Sequence, residues 1–266
     1  MNHPPKILVT GGTGFVGSHL LRLLVNKGLS VRATKRPNSN LYWVDDVAAQ
    51  IEWVDCDIND PQGLYDAMDN IDQVYHSAAL VSFDPSKRQQ LQATNVEGTA
   101  NVVNMALERG VKKLLHVSSI ASIGRKLNQP QVDETIQWED SPINTQYAIS
   151  KYLAEREVWR GVAEGLSAVI VNPSVIIGEG EWSTGSCRLF TQVWEGLKFY
   201  PVGGTGFVDV LDLVQLMMDL MLEPEIVHAL VGRLYDCYGA MIDRFLEIAG
   251  HRLELVCQRA GDWPDL

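Results

Sequence analysis

Lys6 to Gly28 reads KILVTGGTGFVGSHLLRLLVNKG, and the fold follows from how that stretch divides. Ile7-Leu8-Val9-Thr10 is a short apolar run with β-branched residues, bounded by glycine, which is the pattern of a buried parallel strand. Gly11, Gly14 and Gly17 follow at G-x-x-G-x-x-G spacing. Leu20, Leu21, Leu23 and Leu24 then recur at helical spacing up to a stop at Gly28. A helix that begins where a strand ends aims its unpaired N–H groups and positive dipole end at the turn, and a turn without side chains lets a pyrophosphate approach them. Glycines at this spacing fit any tight turn of an α/β protein; the strand before and the helix after make the stretch a dinucleotide site.

The alternation continues outward. Ser30 to Thr34, Ile51 to Asp57, Asp72 to His76, Lys113 to Val117 and Ala168 to Val171 read as further strands. Leu41 to Ala49, Gly63 to Met68, Gln89 to Arg109 and Thr145 to Ala163 read as helices between them. The pattern over residues 6–173 predicts an α/β fold: a doubly wound parallel sheet (Rossmann fold) with right-handed crossovers and helices on both faces. Gly98 inside a helical pattern costs about 1 kcal/mol relative to alanine, so it marks close packing against the sheet.

Composition narrows the partners. A chain of 266 residues, 46% hydrophobic and 21% charged, can bury a full core, and a net charge of −11 repels nucleic acid and anionic membrane. Small-molecule chemistry is favoured instead. Cys56, Cys187, Cys237 and Cys257 show neither metal-ligand nor disulfide-framework spacing, so no metal site is expected and free thiols in a reducing compartment are. The N-terminus lacks the long apolar run of a signal peptide, and Phe207 to Leu222 carries Asp209, Asp212 and Asp219, which suits an amphipathic helix rather than a membrane span. The expectation is a cytoplasmic protein. His19, His76 and His116 pair with no acid at ligand spacing and read as satisfied structural histidines.

The end of the second strand is where a dinucleotide site discriminates between cofactors. An acid there would bind the ribose 2′-hydroxyl of NAD, but the place is held by Ala33-Thr34-Lys35-Arg36, which favours NADP with Arg36 as the phosphate clamp. A solvated loop charge is the alternative for Arg36, and NAD the alternative cofactor. Asp57 and the backbone of Ile58, at the end of the third strand, can meet an adenine edge, or Asp57 can serve only the turn before Pro61. Ser77-Ala78-Ala79 leaves room for a cofactor after the fourth strand.

Ser119, Tyr147 and Lys151 make chemical sense as a set. Tyr147 and Lys151 fall four apart on one helix and share a face. Hydride transfer at a carbon requires a proton to move at the attached oxygen. A phenol whose pKa is lowered by a neighbouring ammonium and a positively charged nicotinamide can move it, while a serine hydroxyl holds the substrate oxygen in line. Y-x-x-x-K alone arises easily by chance, and an ordinary surface pair is the competing reading.

In the company of the other motifs, the chain resembles the short-chain dehydrogenase/reductase superfamily, in its extended, epimerase/dehydratase-like branch. The resemblance rests on TGGTGFVG (Thr10 to Gly17), DCDIND (Asp55 to Asp60), HSAA (His76 to Ala79), NVEGT (Asn95 to Thr99), VSSIASIG (Val117 to Gly124), YAISK (Tyr147 to Lys151) and NPSVIIGEG (Asn172 to Gly180). GGTGFVDVLDL (Gly203 to Leu213) looks like the family's return to the core fold. The resemblance therefore implies a dinucleotide-binding domain over residues 1–173, rejoined by residues 203–222. Residues 174–202 and 223–266 would form a short C-terminal substrate lobe.

By position, the resemblance implies that Gly11, Thr13, Gly14, Phe15, Val16 and Gly17 wrap the pyrophosphate and that Arg36 meets the adenosine phosphate. Asp57 and Ile58 would flank the adenine, Ala78 and Ala79 line the cofactor, and Pro173 border the nicotinamide. Ser119 aligns as the catalytic hydroxyl, with Ser118 the alternative. Tyr147 aligns as acid/base and Lys151 as its partner and the grip on the nicotinamide ribose.

Lys35-Arg36 resembles dihydroflavonol reductase and hydroxysteroid dehydrogenase relatives, whereas Gln258 to Asp262 is similar to a stretch of nucleotide-sugar epimerases. Three activities are expected on these grounds. The leading one is an NADP-preferring oxidoreductase acting on a carbonyl or secondary alcohol of a small molecule. The others are a nucleotide-sugar epimerase or dehydratase with tightly held NAD, and an NADP-sensing binding protein. Val81, Phe83, Arg125, Lys126, Glu181 and Trp182 are candidates to face the substrate. A homodimer packed through the two long helices is also implied.

Overall fold

The computed structural model describes residues 4–124, 138–196 and 205–225. Arg125, Lys126, Cys237, Cys257, Gly203 and Gln258 to Asp262 lie outside the described residues. The chain divides into two compact units, residues 1–221 and 222–266, and the sheet and the site belong to the first.

Six parallel strands form one sheet in the order β3-β2-β1-β4-β5-β6. They are β1 Ile7–Thr10, β2 Val31–Lys35, β3 Glu52–Asp55, β4 Gln73–His76, β5 Lys113–Val117 and β6 Ala168–Val171. The order reverses between β1 and β4, so the crevice at their carboxyl ends is the switch point of a doubly wound sheet, where such folds take ligands. The register runs Thr10 beside His76, His76 beside His116 and His116 beside Ile170, which aligns one row of side chains across the sheet.

Side-chain alternation assigns the helices to faces. Leu8, Val74 and Leu114 pack into one cluster with Leu64 of α2 (Pro61–Ala67), Val102, Val103 and Ala106 of α4 (Gly98–Glu108) and Val158 of α5 (Gln146–Ala163). The opposite face meets α1 (Phe15–Asn26) and α7 (Val210–Leu222). There Leu21 of α1 and Ala33 of β2 both crowd Gly12, and Gln73 and Lys113 donate to the carbonyls of Met221 and Leu220.

Three elements differ from expectation. Leu41 to Ala49 is not a helix but two 3₁₀ turns, Tyr42–Val44 and Ala48–Gln50, pinned by Arg22 reaching the Trp43 carbonyl and the Asp46 carboxylate. Residues 89–109 form α3 (Arg88–Leu91) and α4 joined by a π-helical segment, Gln92–Glu97. Beyond β6 the chain makes a separate parallel pair, β7 (Val175–Ile177) with β8 (Phe207–Asp209), and between them α6 (Arg188–Trp194). Gly98 does mark a close approach, but to a side chain: an added Cβ would stand 2.5 Å from the Ile58 Cδ1.

Candidate active site

The glycine turn is built by exclusion of side chains. Gly11 has φ +73°, and a Cβ there would stand 2.6 Å from the Ala78 backbone nitrogen; a Cβ on Gly17 would stand 2.1 Å from the Gly11 carbonyl oxygen. Only glycine satisfies the first position on both counts and the second on space. The Gly14 N–H donates to the Gly11 carbonyl at 3.0 Å, and no side chain caps α1. Free N–H groups at the start of a twelve-residue helix, over a turn that backbone can approach, fit a pyrophosphate. Thr13 and Val16 are half-buried at this turn, Gly14 and Ala79 are exposed, and Ala78 is half-buried. Phe15 turns its ring toward Gly178, Gly180 and the His19 imidazole, so its side chain packs on protein.

At the end of β2 the two basic residues part company. The Lys35 ammonium pairs with the Asp55 carboxylate, whereas Arg36 is exposed and its guanidinium has no ion pair or hydrogen bond among the described residues. Asp57 accepts from the Asn59 N–H at 2.9 Å, the turn role that competes with an adenine contact, and Ile58 is buried with its carbonyl accepting from Asn101 at 3.1 Å.

On the other side of the switch point, α5 carries Tyr147 and Lys151. Thr145 caps its start by accepting from the Ala148 N–H at 3.1 Å. Lys151 is 2% exposed and its ammonium donates to the Val117 carbonyl at 2.8 Å. Burial lowers its pKa to about 8, opposed by the negative charge of Glu155 one turn on. Ser119 begins the turn after β5, its hydroxyl accepting from the Ala121 N–H at 3.2 Å and standing near enough to the Tyr147 phenol to favour its ionised form. The three groups expected to react together are brought to the carboxyl end of β5 and the first turns of α5.

In the protein's own surroundings the phenol shifts upward. Burial raises the Tyr147 pKa above its ordinary value, with the Ser119 hydrogen bond pulling the other way, so the net direction is up rather than down. Lys151 is directed at the Val117 carbonyl, and the cause that dominates at the phenol is its own burial. The arrangement holds a protonated phenol beside a hydroxyl, which is suited to giving a proton to an oxygen.

Around these groups, Asn95 in the π segment accepts from the Leu80 N–H at 2.7 Å and donates to the Leu80 carbonyl and the Ser150 hydroxyl, both at 2.9 Å. The Pro173 carbonyl accepts from the Ile120 N–H at 3.1 Å, next to Ser119. The Phe83 ring meets Tyr147 edge-on at 5.6 Å, while Val81 is exposed and Glu181 is engaged in its own loop with Ser183. Trp182 lines an apolar cavity of about 960 Å³ with Ile177, Phe190, Trp194 and Phe207.

His76 is fully paired, to Thr10 at 2.7 Å and Thr99 at 2.9 Å. Both ring nitrogens of His116, by contrast, are buried without a hydrogen-bond partner among the described residues, against the expectation of a satisfied histidine. His116 lies between apolar Leu115 and Val117 on a strand, with the His76 ring 5.1 Å away and its nitrogens already taken. Cys56 and Cys187 are free and buried, and no metal-binding cluster occurs among the described residues. Nor is any described helix long and apolar enough to cross a membrane.

Sequence reasoning passed over Glu155. Its Oε2 accepts from Ser118 and Ser122 at 2.7 Å and Asn172 at 2.9 Å. The spacing 147, 151, 155 places it on the same face of α5 but names none of its partners.

A family model for the NAD dependent epimerase/dehydratase family matches residues 7–240. The chain is 32% identical over 251 residues to sterol demethylase protein B of Methylococcus capsulatus, covering 92% of this chain and 74% of that protein. It is 38% identical over 170 residues to a putative dihydroflavonol 4-reductase of Synechocystis, covering 64% of this chain and 49% of that one. Among solved structures, the Bordetella bronchiseptica enzyme WbmH in complex with NAD+ matches with TM-score 0.70 and 26% identity, over 81% of this chain and 71% of that one.

Proposed function

The chain belongs to the NAD dependent epimerase/dehydratase family, and from that premise we propose that it is an NADP-preferring reductase of a carbonyl on a small organic molecule. The observation that carries this reading is Tyr147 held protonated by burial beside the Ser119 hydroxyl, with the Lys151 ammonium one turn further along the same helix.

The uncapped start of α1 and the turn of Gly11, Gly14 and Gly17 would hold the pyrophosphate, and the unpartnered Arg36 the 2′-phosphate. When bound, the nicotinamide supplies hydride to the carbonyl carbon. Ser119 holds the carbonyl oxygen in line, and Tyr147 gives that oxygen its phenolic proton. Lys151 stabilises the phenolate left behind and grips the ribose. The secondary alcohol leaves with both hydrogens accounted for, one at carbon and one at oxygen. Self-association through α4 and α5 accords with the exposure of Trp159 and Val162 on α5.

The test is NADPH consumption against a panel of aldehydes, ketones and a dihydroflavonol. Tyr147→Phe is expected to lose about 10²–10⁴ in kcat while NADPH binding survives. Arg36→Ala is expected to erase a preference of NADPH over NADH. Retained turnover in Tyr147→Phe overturns the assignment. The rival reading, a nucleotide-sugar epimerase, is supported by the likeness to WbmH with NAD+ bound. NAD copurifying with the chain, with no net absorbance change on adding a sugar nucleotide, favours it.

A further inference from the structure

Glu155 lies one helical turn beyond Lys151 and two beyond Tyr147, on the same face of α5. Its carboxylate gathers three separate segments. The Oε2 accepts from Ser118 at the end of β5, from Ser122 in the turn beyond it, and from Asn172 at the end of β6. The other oxygen, Oε1, faces the Trp159 indole N–H at 3.4 Å.

The donors are themselves linked to the turn that carries Ser119. Ser118 and Ser122 hydroxyls are 3.2 Å apart, and the Asn172 amide nitrogen lies 2.9 Å from the Ser122 hydroxyl and 3.3 Å from the Ser119 carbonyl. A carboxylate is acceptor-only when ionised, so a cage of two hydroxyls and an amide suits the charged form. Breaking it would remove the one group that ties Ser118, Ser122 and Asn172 together, and leave the Ser122 hydroxyl, 2.7 Å from the Ser119 carbonyl, free to turn to that carbonyl instead.

We propose that Glu155 is a positioning residue: it fixes the turn that presents Ser119 and supplies the negative charge that keeps buried Lys151 an ammonium. This rests on the reductase reading above. Among the described residues, the titratable groups facing Lys151 are Tyr147 and Glu155 from its own helix, His76 from β4 and His116 from β5. Of these only Glu155 supplies a negative charge at neutral pH, since burial keeps both imidazoles neutral and Tyr147 protonated. The Val117 carbonyl gives Lys151 a dipole, and Glu155 gives it the opposite charge that offsets its loss of water.

The test combines a titration with kinetics on the full chain. Lys151 is followed by NMR in lysine-labelled protein, its signal assigned with Lys151→Met. Glu155→Gln keeps the shape and removes the charge, and should lower the Lys151 midpoint by about one pH unit. The kcat with NADPH and the best substrate of the carbonyl panel should fall about tenfold or more, with KM for NADPH changed less than about threefold. Ser122→Ala keeps the charge and loosens the turn, so kcat should fall several-fold with the Lys151 midpoint unmoved.

A folded Glu155→Gln with parental midpoint and parental kcat overturns the proposal. Should Glu155→Gln not fold, Ser118→Ala/Ser122→Ala replaces it, and an unchanged kcat in that variant overturns the proposal instead. If Tyr147→Phe keeps turnover, the reductase reading fails while the NMR arm still decides the charge role. If Tyr147→Phe is inactive and Glu155→Gln is parental, only this inference fails.

Discussion

The two halves of the crevice are made by opposite means. On the β1–β3 side the site is backbone and empty space: three glycines, an uncapped helix and an exposed arginine. On the β4–β6 side it is side chains, Lys151 and Asn95 buried and Glu155 half-buried, each fixed by contacts from other elements. The first half excludes atoms and the second depends on them. Damage to one should therefore come from adding a methyl group, and damage to the other from removing a charge or a hydrogen-bonding atom.

The largest expected effect tests the first half. In Gly17→Ala the new Cβ would meet the Gly11 carbonyl oxygen at 2.1 Å, and a backbone atom cannot swing away as a flexible side chain can. Overpacking of this kind costs about 1–3 kcal/mol or more, so NADPH affinity should fall by about 100-fold. Fluorescence titration with NADPH measures it, and an affinity within about threefold of the parent would break the comparison.

Lys151→Met probes the second half with pH as the variable. The folded-state pKa of about 8 lies below the ordinary 10.5, so between those values the unfolded chain binds more protons than the native one. Native stability therefore rises with pH across that window, and below a pH of about 8 the fold bears the cost of a buried ammonium. The variant should be more stable than the parent at neutral pH by about 1–3 kcal/mol, an advantage that shrinks as pH rises through the window. Urea unfolding at several pH values checks it, with loss of turnover expected throughout. Greater stability with less activity would mark the lysine as retained for chemistry.

The smallest effect sharpens the second half from within. His76 has both nitrogens paired and His116 neither, and burial holds both rings neutral, His76 with a pKa of about 3. As pH falls below the ordinary 6.5 the unfolded chain takes up protons that the native rings refuse, so stability falls toward acid. His116→Leu removes one such ring and no hydrogen bond. It should change stability at neutral pH by less than about 1 kcal/mol and flatten the acid limb of the melting curve.

The same division explains how much was legible in the sequence. The glycine half is local: strand, turn and helix lie within Ile7 to Asn26, and conformation is dictated by residues next to one another. The positions of all six strands could be read from runs and breaks, and Ser119, Tyr147 and Lys151 were picked out by motifs. Glu155 could not, because its partners stand 17, 33 and 37 residues away on other elements, and spacing along α5 says nothing of what faces it. The phenol's raised pKa was hidden for the same reason, since burial is a property of the assembled layers. The turns at 42–50 read as a helix in sequence because their apolar pattern is helical, while the grip of Arg22 on Trp43 and Asp46 is a contact between distant residues.

The π segment within the long helix carries a further consequence. Each inserted residue turns everything downstream by about 100° around the axis, so the rod before and after residues 92–97 presents different azimuths. Asn95 is thereby aimed at Leu80 and Ser150, while Val102 and Ala106 beyond it enter the sheet's core. Uniform winding would set these two demands in conflict. Deleting one residue there would restore plain α geometry and swing either the amide away from α5 or the downstream apolar stripe off the sheet, which makes the segment the setting of the helix's rotational phase.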